Sequence, residues 1–159
     1  LFFSVRRFSF KAREQSSSNK KAYCIDNGFM LAKAFIASPE RGKRYENIVA
    51  VHLKRKELEG SATIYYWKSA QGGEEVDFAV WEGNRVAQLI QVCAELALEK
   101  TKDREIRALL KASKELDCKN LIVLTSGYEA EETLEWFGFK GRVRFVPLYK
   151  WLANHELGK

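Results

Sequence analysis

Hydrophobic and polar residues repeat along the chain with two different periods, which predicts both helices and strands. Residues 1–10 are aromatic and partly alternating, whereas residues 11–21 are polar, Ser-rich and basic. Because a polar, Ser-rich segment is typical of a loop or linker, we predict a basic and aromatic arm and linker over residues 1–20. In this prediction an α/β domain over residues 21–155 follows the arm.

Two segments repeat their apolar residues every three or four positions, the spacing of an amphipathic helix. The first begins at Ser38 and Pro39, a cap residue followed by one that suits the first helical turn, and runs to about Glu57. Its helically spaced positions are Tyr45, Ile48, Val49, His52 and Leu53. The second covers residues 102–116, with Ile106, Leu109, Leu110, Ser113 and Leu116 on one face. We therefore expect His52 to be a packed core residue rather than a metal ligand.

Runs rich in β-branched and aromatic residues occupy much of the remaining chain. They cover residues 22–25, 63–67, 75–81, 86–93, 121–125 and 143–146. Glycine-containing turns at 71–73 and 83–84 separate three of these runs, which predicts three consecutive antiparallel strands. The run at 121–125 is apolar throughout, as in a buried strand reached through a crossover helix. With a charged loop around 129–132 and a terminal turn or helix at 147–153, the order predicts an α/β fold with a central mixed sheet flanked by helices.

The composition of the chain limits the class of protein to which it can belong. It has 159 residues, of which 46% are hydrophobic and 30% charged, so it can bury a core of its own. No apolar run approaches the roughly 18 residues of a membrane span, and the first residues lack the layout of a signal peptide. Three cysteines at wide spacings form neither a disulfide framework nor a zinc motif. We therefore expect a cytoplasmic protein that does not enter a membrane.

Positive charge is concentrated at the front of the chain. The formal net charge is +6, and residues 1–44 carry ten Lys and Arg against three Asp and Glu. Such an excess favours a polyanionic partner such as DNA, although an acidic neighbouring domain would be attracted equally. We take Arg41, Lys43 and Arg44 as candidate nucleic-acid-binding residues.

The chain lacks the sequence signatures of several enzyme classes. The chain contains no phosphate-binding loop, no glycine-rich dinucleotide motif and no nucleophile elbow. We therefore expect no ATP site within this chain. Only two histidines are present, which makes a histidine-based triad or metal site improbable.

Three polar residues stand out because of the elements that carry them. Glu46 lies at the edge of the first helix's apolar stripe, while Asp77 and Gln91 interrupt apolar strands. An aspartate inside such a strand is costly unless it is paired or bound to a metal. The alternation of the strand predicts that Val76 and Phe78 share one face, with Asp77 on the other. An odd loop between the two strands brings Asp77 opposite Gln91, whereas a two-residue loop places them on opposite faces.

A helical Glu, a strand Asp and a polar pair on the next strand form the pattern of a divalent-metal phosphodiesterase site. In that interpretation Asp77 and Glu46 hold Mg²⁺ or Mn²⁺, while Gln91 offers a weaker, neutral ligand and Cys93 supplies no cation. The alternative is structural. Glu46 then pairs with a neighbouring lysine or arginine, and Asp77 accepts hydrogen bonds from backbone amides.

Five short motifs occur in order along the chain: Lys21–Phe29, Glu46–Val49, Ile64–Lys68, Glu75–Val80 and Leu89–Cys93. Their order and spacing resemble the C-terminal domain of prokaryotic, especially archaeal, AAA-type ATPases. The resemblance extends from Leu1 to about Leu152. It implies a restriction-endonuclease-like fold of the PD-(D/E)XK superfamily and an ATPase domain upstream of residue 1.

The resemblance also implies roles for individual residues. Glu46 stands for the helical acid and Asp77 for the metal ligand, while Gln91 and Cys93 occupy the places of the second acid and the lysine. Lys68, at the end of the preceding strand, is a candidate for a displaced cation. The two departures favour a degenerate nuclease-like module that binds nucleic acid or a partner domain. Two alternatives stay open: an active Mg²⁺-dependent DNA phosphodiesterase, and a protein-interaction domain without a nucleic-acid role.

Overall fold

The computed structural model describes residues 1–29, 41–95 and 99–156. Its strands are β1 (Phe2–Arg7), β2 (Lys21–Cys24), β3 (Thr63–Lys68), β4 (Glu75–Glu82), β5 (Arg85–Val92), β6 (Leu121–Thr125), β7 (Ala130–Trp136) and β8 (Phe139–Pro147). Its helices are α1 (Ala12–Ser17), α2 (Arg41–Leu58), α3 (Glu99–Leu116) and α4 (Leu148–Glu156). The predicted start of the long first helix at Ser38 and Pro39 lies outside the described residues.

All eight strands belong to one mixed sheet, in the order β2-β1-β3-β4-β5-β6-β8-β7. β3, β4 and β5 form the predicted antiparallel meander, and α3 then crosses over to β6, which pairs parallel to β5. β6 also pairs parallel to β8, so the apolar β6 lies inside the sheet. The predicted α/β class with a central mixed sheet flanked by helices is confirmed.

The sheet separates two hydrophobic cores. The first, on the α3 side, contains Trp67, Leu89, Leu109, Leu110 and Phe145. The second, on the α2 side, contains Val49, Leu53, Phe78, Ile90 and Trp151. His52 contacts the Trp151 ring with centroids 4.9 Å apart, which agrees with its expected packing role. Among the described residues, no helix is both long and apolar enough to cross a membrane.

The predicted arm over residues 1–20 requires correction. β1 lies inside the sheet between β2 and β3, and it pairs antiparallel with the first and parallel with the second. Its alternation has a packing cause, because Val5 is buried while Ser4 and Arg6 are exposed. Phe8, just after the strand, belongs to the α3-side core. The front of the chain is therefore part of the folded unit, and the polar segment behind it contains the short helix α1.

The predicted charged loop around residues 129–132 also requires correction, because it belongs to an edge strand. β7 pairs antiparallel with β8 along its whole length, from Ala130 opposite Phe145 to Trp136 opposite Phe139. Its half-buried and exposed residues alternate, with the glutamates at 131 and 135 exposed. Charged residues along an edge strand discourage pairing with another chain, so the acidic composition suits this position.

β4 does not alternate as its sequence predicts. Val76 packs in the α3-side core, whereas Phe78 packs in the α2-side core. The cause is a β-bulge: between two consecutive register pairs, β3 has one residue and β4 has two, Asp77 and Phe78. The flanking pairs are Tyr65–Ala79 and Trp67–Val76. Since a bulge redirects a side chain, Asp77 is not held to the face that simple alternation assigns it.

The turn between β4 and β5 has two residues, yet a second bulge changes the parity. Glu82 pairs with Arg85 across the turn, and Gly83 takes the positive φ of 60° common at the first position of such turns. The register then shifts, so that one extra β5 residue, Ala87, precedes Gln88, which pairs with Val80. A short turn plus this bulge has the same effect on register as the odd loop that the sequence pattern required.

Gly141 on β8 occupies a place where a methyl group does not fit. A Cβ there would lie 2.5 Å from Leu110 Cδ2 and 3.1 Å from Leu121 Cδ1, and both leucines are fully buried. We expect Gly141→Ala to lower the free energy of unfolding by about 1–3 kcal/mol, measured by urea denaturation. Gly42→Ala is the control, because nothing lies within 4 Å and alanine favours the helix. A Gly141→Ala variant as stable as the parent would contradict this close contact.

Candidate functional site

A cleft of about 330 Å³ opens where β4 begins and β5 ends, beside the first two turns of α2 and the second and third turns of α3. Its polar lining comes from four places in the sequence: Glu46, Glu74, Glu75, Asp77, Gln91, Arg104 and Glu105. The fold therefore brings together Glu46, Asp77 and Gln91, which lie on three different elements and were predicted to belong to one site.

Lys21, the first residue of β2, binds three carboxylates of this site at once. Its Nζ lies 2.7 Å from Glu75 Oε1, 2.9 Å from Asp77 Oδ1 and 3.1 Å from Glu46 Oε1. It also lies 5.6 Å from the centre of the Tyr66 ring. Burial alone lowers the pKa of Lys21, but the charges of Asp77, Glu46 and Glu75 outweigh burial and raise it well above its usual value. The ammonium therefore stays charged and joins Glu46 to Asp77.

Tyr23 supports the same carboxylate from two residues further along β2. Its hydroxyl donates a hydrogen bond of 2.6 Å to Glu46 Oε1. Burial, followed by the charge of Glu46, raises the pKa of Tyr23, so the phenol keeps its proton. Alternate residues of a strand share a face, so Lys21 and Tyr23 both reach α2.

Asp77 is held from two directions. Oδ1 accepts from Lys21, and Oδ2 accepts a 3.0 Å hydrogen bond from the Val92 backbone N–H. Burial raises the pKa of Asp77 to about 7, against the opposing charge of Lys21. The backbone bond agrees with the structural interpretation of Asp77, whereas its contact with Lys21 places it in the cleft. Its role as a metal ligand stays a prediction.

Gln91 bonds to the opposite side of the cleft. Its amide Nε2 donates to Glu105 Oε2 on α3, and its Oε1 accepts a 3.2 Å hydrogen bond from the Asp77 backbone N–H. Arg104 contacts the other oxygen of Glu105 at 2.6 Å. The carboxylate of Asp77 thus contacts Lys21 of β2, whereas the amide of Gln91 contacts Glu105 of α3, although both line one cleft. An odd loop between β4 and β5 predicted that both side chains share one face of the sheet. They do not, because the bulge at Asp77 redirects its side chain.

Cys93 and Lys68 lie around this cluster without completing a nuclease pattern. Cys93 is buried, and its pKa is raised by burial and then by the charge of Glu105. A protonated thiol supplies no cation at this place. Lys68 Nζ lies 3.9 Å from Glu75 Oε2 and is about half exposed, so it contacts the outer carboxylate.

The three candidate DNA-binding residues lie on the first turn of α2. Arg41 and Lys43 are exposed and Arg44 is half-buried. Gly42 and Glu46 of this helix line the cleft, so Arg41 and Lys43 lie beside its rim, whereas Arg44 lies on the other side of the helix. Whether they bind nucleic acid stays a prediction.

The donor set, as folded, does not fit a divalent metal ion. The point shared by Glu46, Glu75 and Asp77 is held by the Lys21 ammonium, and Mg²⁺ or Mn²⁺ needs oxygen ligands directed at the metal. In the part of the chain that the structure describes, no group of three or more His, Cys, Asp or Glu residues is arranged to hold a metal. The carboxylates of this site are arranged around a side-chain cation.

Sequence analysis missed Lys21, which contacts three carboxylates of the site, and the cleft residues Glu75, Arg104 and Glu105. Lys21 begins a strand within a generally basic segment, so its charge does not stand out. Glu105 lies in an amphipathic helix where acids usually face solvent, yet it is buried. The available signals were the two-residue spacing of Lys21 and Tyr23 and the position of Glu105 just before the buried Ile106.

Comparisons with known proteins place the chain in a family. Residues 41–151 match the model of a domain of unknown function, DUF4143, and this stretch includes every residue that lines the cleft but not Lys21 and Tyr23 of β2. The chain is also 35% identical, over 157 residues, to the uncharacterized protein MJ1544 of Methanocaldococcus jannaschii. The alignment covers 98% of the chain but 34% of that protein, so the chain spans about a third of its relative's length. Since the family model covers well over half of the chain, the chain belongs to the DUF4143 family.

Proposed function

We propose that this chain is a catalytically degenerate, nuclease-like module that binds nucleic acid and serves an AAA-type ATPase domain of the same polypeptide. One observation carries the proposal: Lys21 is bound by Glu46, Glu75 and Asp77, which include both acids that the resemblance assigns to a metal. A cation supplied by the chain neutralises these carboxylates. Metal-dependent chemistry at this point requires that Lys21 first leave them.

The other departures support the same proposal. Gln91 stands at the place of the second acid. Its amide binds Glu105 and the Asp77 backbone, so it connects β5 to α3 and to β4. Cys93, at the place of the lysine, is a buried neutral thiol. The PD-(D/E)XK pattern is thus replaced at two positions, and each replacement has a structural role.

Nucleic acid is favoured as the ligand by exposed cations beside the cleft, whose own lining is acidic. Arg41 and Lys43 are exposed at its rim, and Arg104 on α3 has a largely exposed side chain on the other side. Phosphate groups bind lysine and arginine side chains through charge, and no catalytic residue is needed for such binding. The ATPase part of the proposal rests on the sequence resemblance. The relative has about two thirds of its length outside the matched region, which leaves room for such a domain.

Binding of labelled duplex DNA, measured by fluorescence anisotropy at several salt concentrations, tests the proposal. We expect the triple variant Arg41→Gln, Lys43→Gln, Arg44→Gln to bind more weakly. The slope of log K against log salt should fall by about one for each phosphate that a substituted side chain no longer neutralises. The matched control is Arg55→Gln, Arg85→Gln, Lys119→Gln, which removes the same charge from exposed residues away from the cleft. It should retain most of the affinity.

Two results would overturn parts of this proposal. If the parent does not bind DNA at low salt, the basic residues serve a protein contact, such as one to the ATPase domain. Metal-dependent cleavage of plasmid DNA by the parent, abolished by Asp77→Ala, would establish the active phosphodiesterase instead. Each assay therefore separates one alternative from the proposed module.

A further inference from the structure

An exposed aromatic side chain occupies a strained position at the tip of the β7–β8 hairpin. Phe137 and Gly138 form a two-residue turn with φ values of 45° and 75°. Such turns favour Asn-Gly, because a bulky side chain at positive φ crowds the backbone. The Phe137 side chain is 90% exposed, so burial gains little in return for this conformation. The turn therefore holds an exposed phenyl ring at the tip of the hairpin.

Aromatic and basic residues surround this ring. We define the hairpin-tip patch as Arg107, Lys111, Lys114, Trp136, Phe137 and Phe139, which line a hollow of about 440 Å³. The Phe137 ring meets the Trp136 ring edge-on, with centroids 4.9 Å apart. The Arg107 guanidinium lies 4.6 Å from the centre of the Trp136 ring. The patch thus combines flat apolar surfaces with fixed positive charge.

The balance of charge at the patch is positive. Lys111 forms a 3.2 Å ion pair with Glu74, the acidic residue that also lines the hollow. Arg107 and Lys114 add two further positive charges on the same helix. Base rings stack on aromatic side chains while phosphates bind nearby cations, so this combination suits unpaired nucleotides. An apolar protein partner would gain little from three cations around the aromatic surface.

The hairpin-tip patch is continuous with the cleft. Glu74 lines both, and α3 contributes Arg104 and Ala108 to the cleft and Arg107 to the patch. A nucleic-acid strand bound near the exposed Arg104 can therefore reach the hairpin tip along α3. This continuity connects the patch with the basic residues at the cleft rim.

We propose that the hairpin-tip patch binds single-stranded nucleic acid, with a base stacked on Phe137 and phosphates near Arg107 and Lys114. The proposal deepens the proposed function and rests on it for the class of ligand, because it names the form of nucleic acid that this surface takes. It requires bases that are not paired, since paired bases have no free face for the ring.

The test uses Phe137→Asn, because asparagine removes the ring and suits positive φ. We expect this variant to melt at the parent's temperature or above it, yet to bind a labelled oligothymidine more weakly. Stacking of one base corresponds to a loss of about 5- to 150-fold in affinity. Affinity for duplex DNA should stay unchanged.

Two controls isolate the stacking contribution. Tyr149→Asn removes another exposed aromatic residue, on α4, at the far end of the nine-residue β8. It should leave oligothymidine binding unchanged. An oligomer with the same phosphates and no bases should bind equally well to the parent and to Phe137→Asn, because it has nothing to stack.

The outcomes distinguish this proposal from the proposed function. If Phe137→Asn binds oligothymidine as the parent does, or if its loss persists with the abasic oligomer, the hairpin tip is not a stacking site. Unchanged binding with an intact fold leaves Phe137 as a contact for a protein partner. If the Arg41, Lys43 and Arg44 variant loses duplex binding while Phe137→Asn binds oligothymidine like the parent, the proposed function is supported and the patch proposal fails. A parent that binds neither form of DNA overturns both.

Discussion

Replacing Lys21 with Met is expected to lower the free energy of unfolding at pH 7 by about 3–5 kcal/mol, because it leaves three carboxylates without their shared cation. Native domains have only about 5–15 kcal/mol of stability in total. The variant should therefore be only marginally folded at neutral pH. Urea denaturation monitored by circular dichroism measures the change.

The pH dependence of this loss has a defined sign. In the parent, the pKa of Lys21 is raised on folding, so its contribution is fully present below the usual lysine pKa and disappears as the pH rises through the raised value. In Lys21→Met, the crowded carboxyl groups bind protons more tightly in the folded state than in the unfolded state. The variant should then lose stability as the pH rises from about 5 to 8, over a range where the parent keeps the lysine contribution.

Lys20→Met is the matched control, because Lys20 is the exposed neighbour of Lys21. It should change the free energy of unfolding by no more than about 0.5 kcal/mol. Equal and small effects of the two substitutions would show that the carboxylates do not depend on Lys21. The contacts of Lys21 with the three carboxylates would then contribute little to stability, and the proposed function would lose the observation on which it rests.

Gln91→Glu is expected to have the second large effect, because it replaces a donor with a carboxylate beside Glu105. Two carboxylates that share one site cannot both ionise freely, so one pKa rises strongly. The folded state then binds the extra proton more tightly, and stability falls as the pH rises from about 5 to 8. At pH 8 we expect a loss of about 2–4 kcal/mol, measured by urea denaturation. Gln91→Met, which adds no charge, should show much less pH dependence.

Adding Cys93→Lys tests whether the two departures from the nuclease pattern are coupled. Burial, and then the charge of Glu105, raises the pKa of Cys93, so an ammonium placed there has a carboxylate nearby. The double variant should be more stable than the sum of its single variants predicts, by about 0.5–3 kcal/mol. Tighter Mn²⁺ binding than in the parent, measured by calorimetry, would support loss of a former site. Purely additive effects would contradict the coupling.

The sequence predicted the elements whose pattern is set by burial on a sheet or a helix. The meander β3-β4-β5, the helix α3 and the apolar strand β6 all occur where their periodicity indicated. β1 and β7 were missed for different reasons. The alternation of β1 is visible in the sequence, but the polar segment behind it favoured an arm outside the sheet, whereas the exposed glutamates of β7 concealed its alternation.

The candidate site was recognised where a polar residue interrupts an apolar pattern, as at Asp77 and Gln91. Lys21 and Glu105 were not recognised, because nothing in a charged neighbourhood marks a charge as buried. Their importance arises from tertiary contacts between segments far apart in the chain. The relative orientation of Asp77 and Gln91 likewise depends on two bulges, which periodicity does not encode.

The short turn at Gly83–Asn84 and the extra residue Ala87 have a consequence for how this part of the family can vary. The two features compensate, because together they set the register of β5 against β4. A chain that gains one residue in the turn and loses one from the strand keeps Gln91 at the same place. Length changes here can therefore arise in pairs without loss of the cleft, and an alignment that counts only gaps would misjudge their effect.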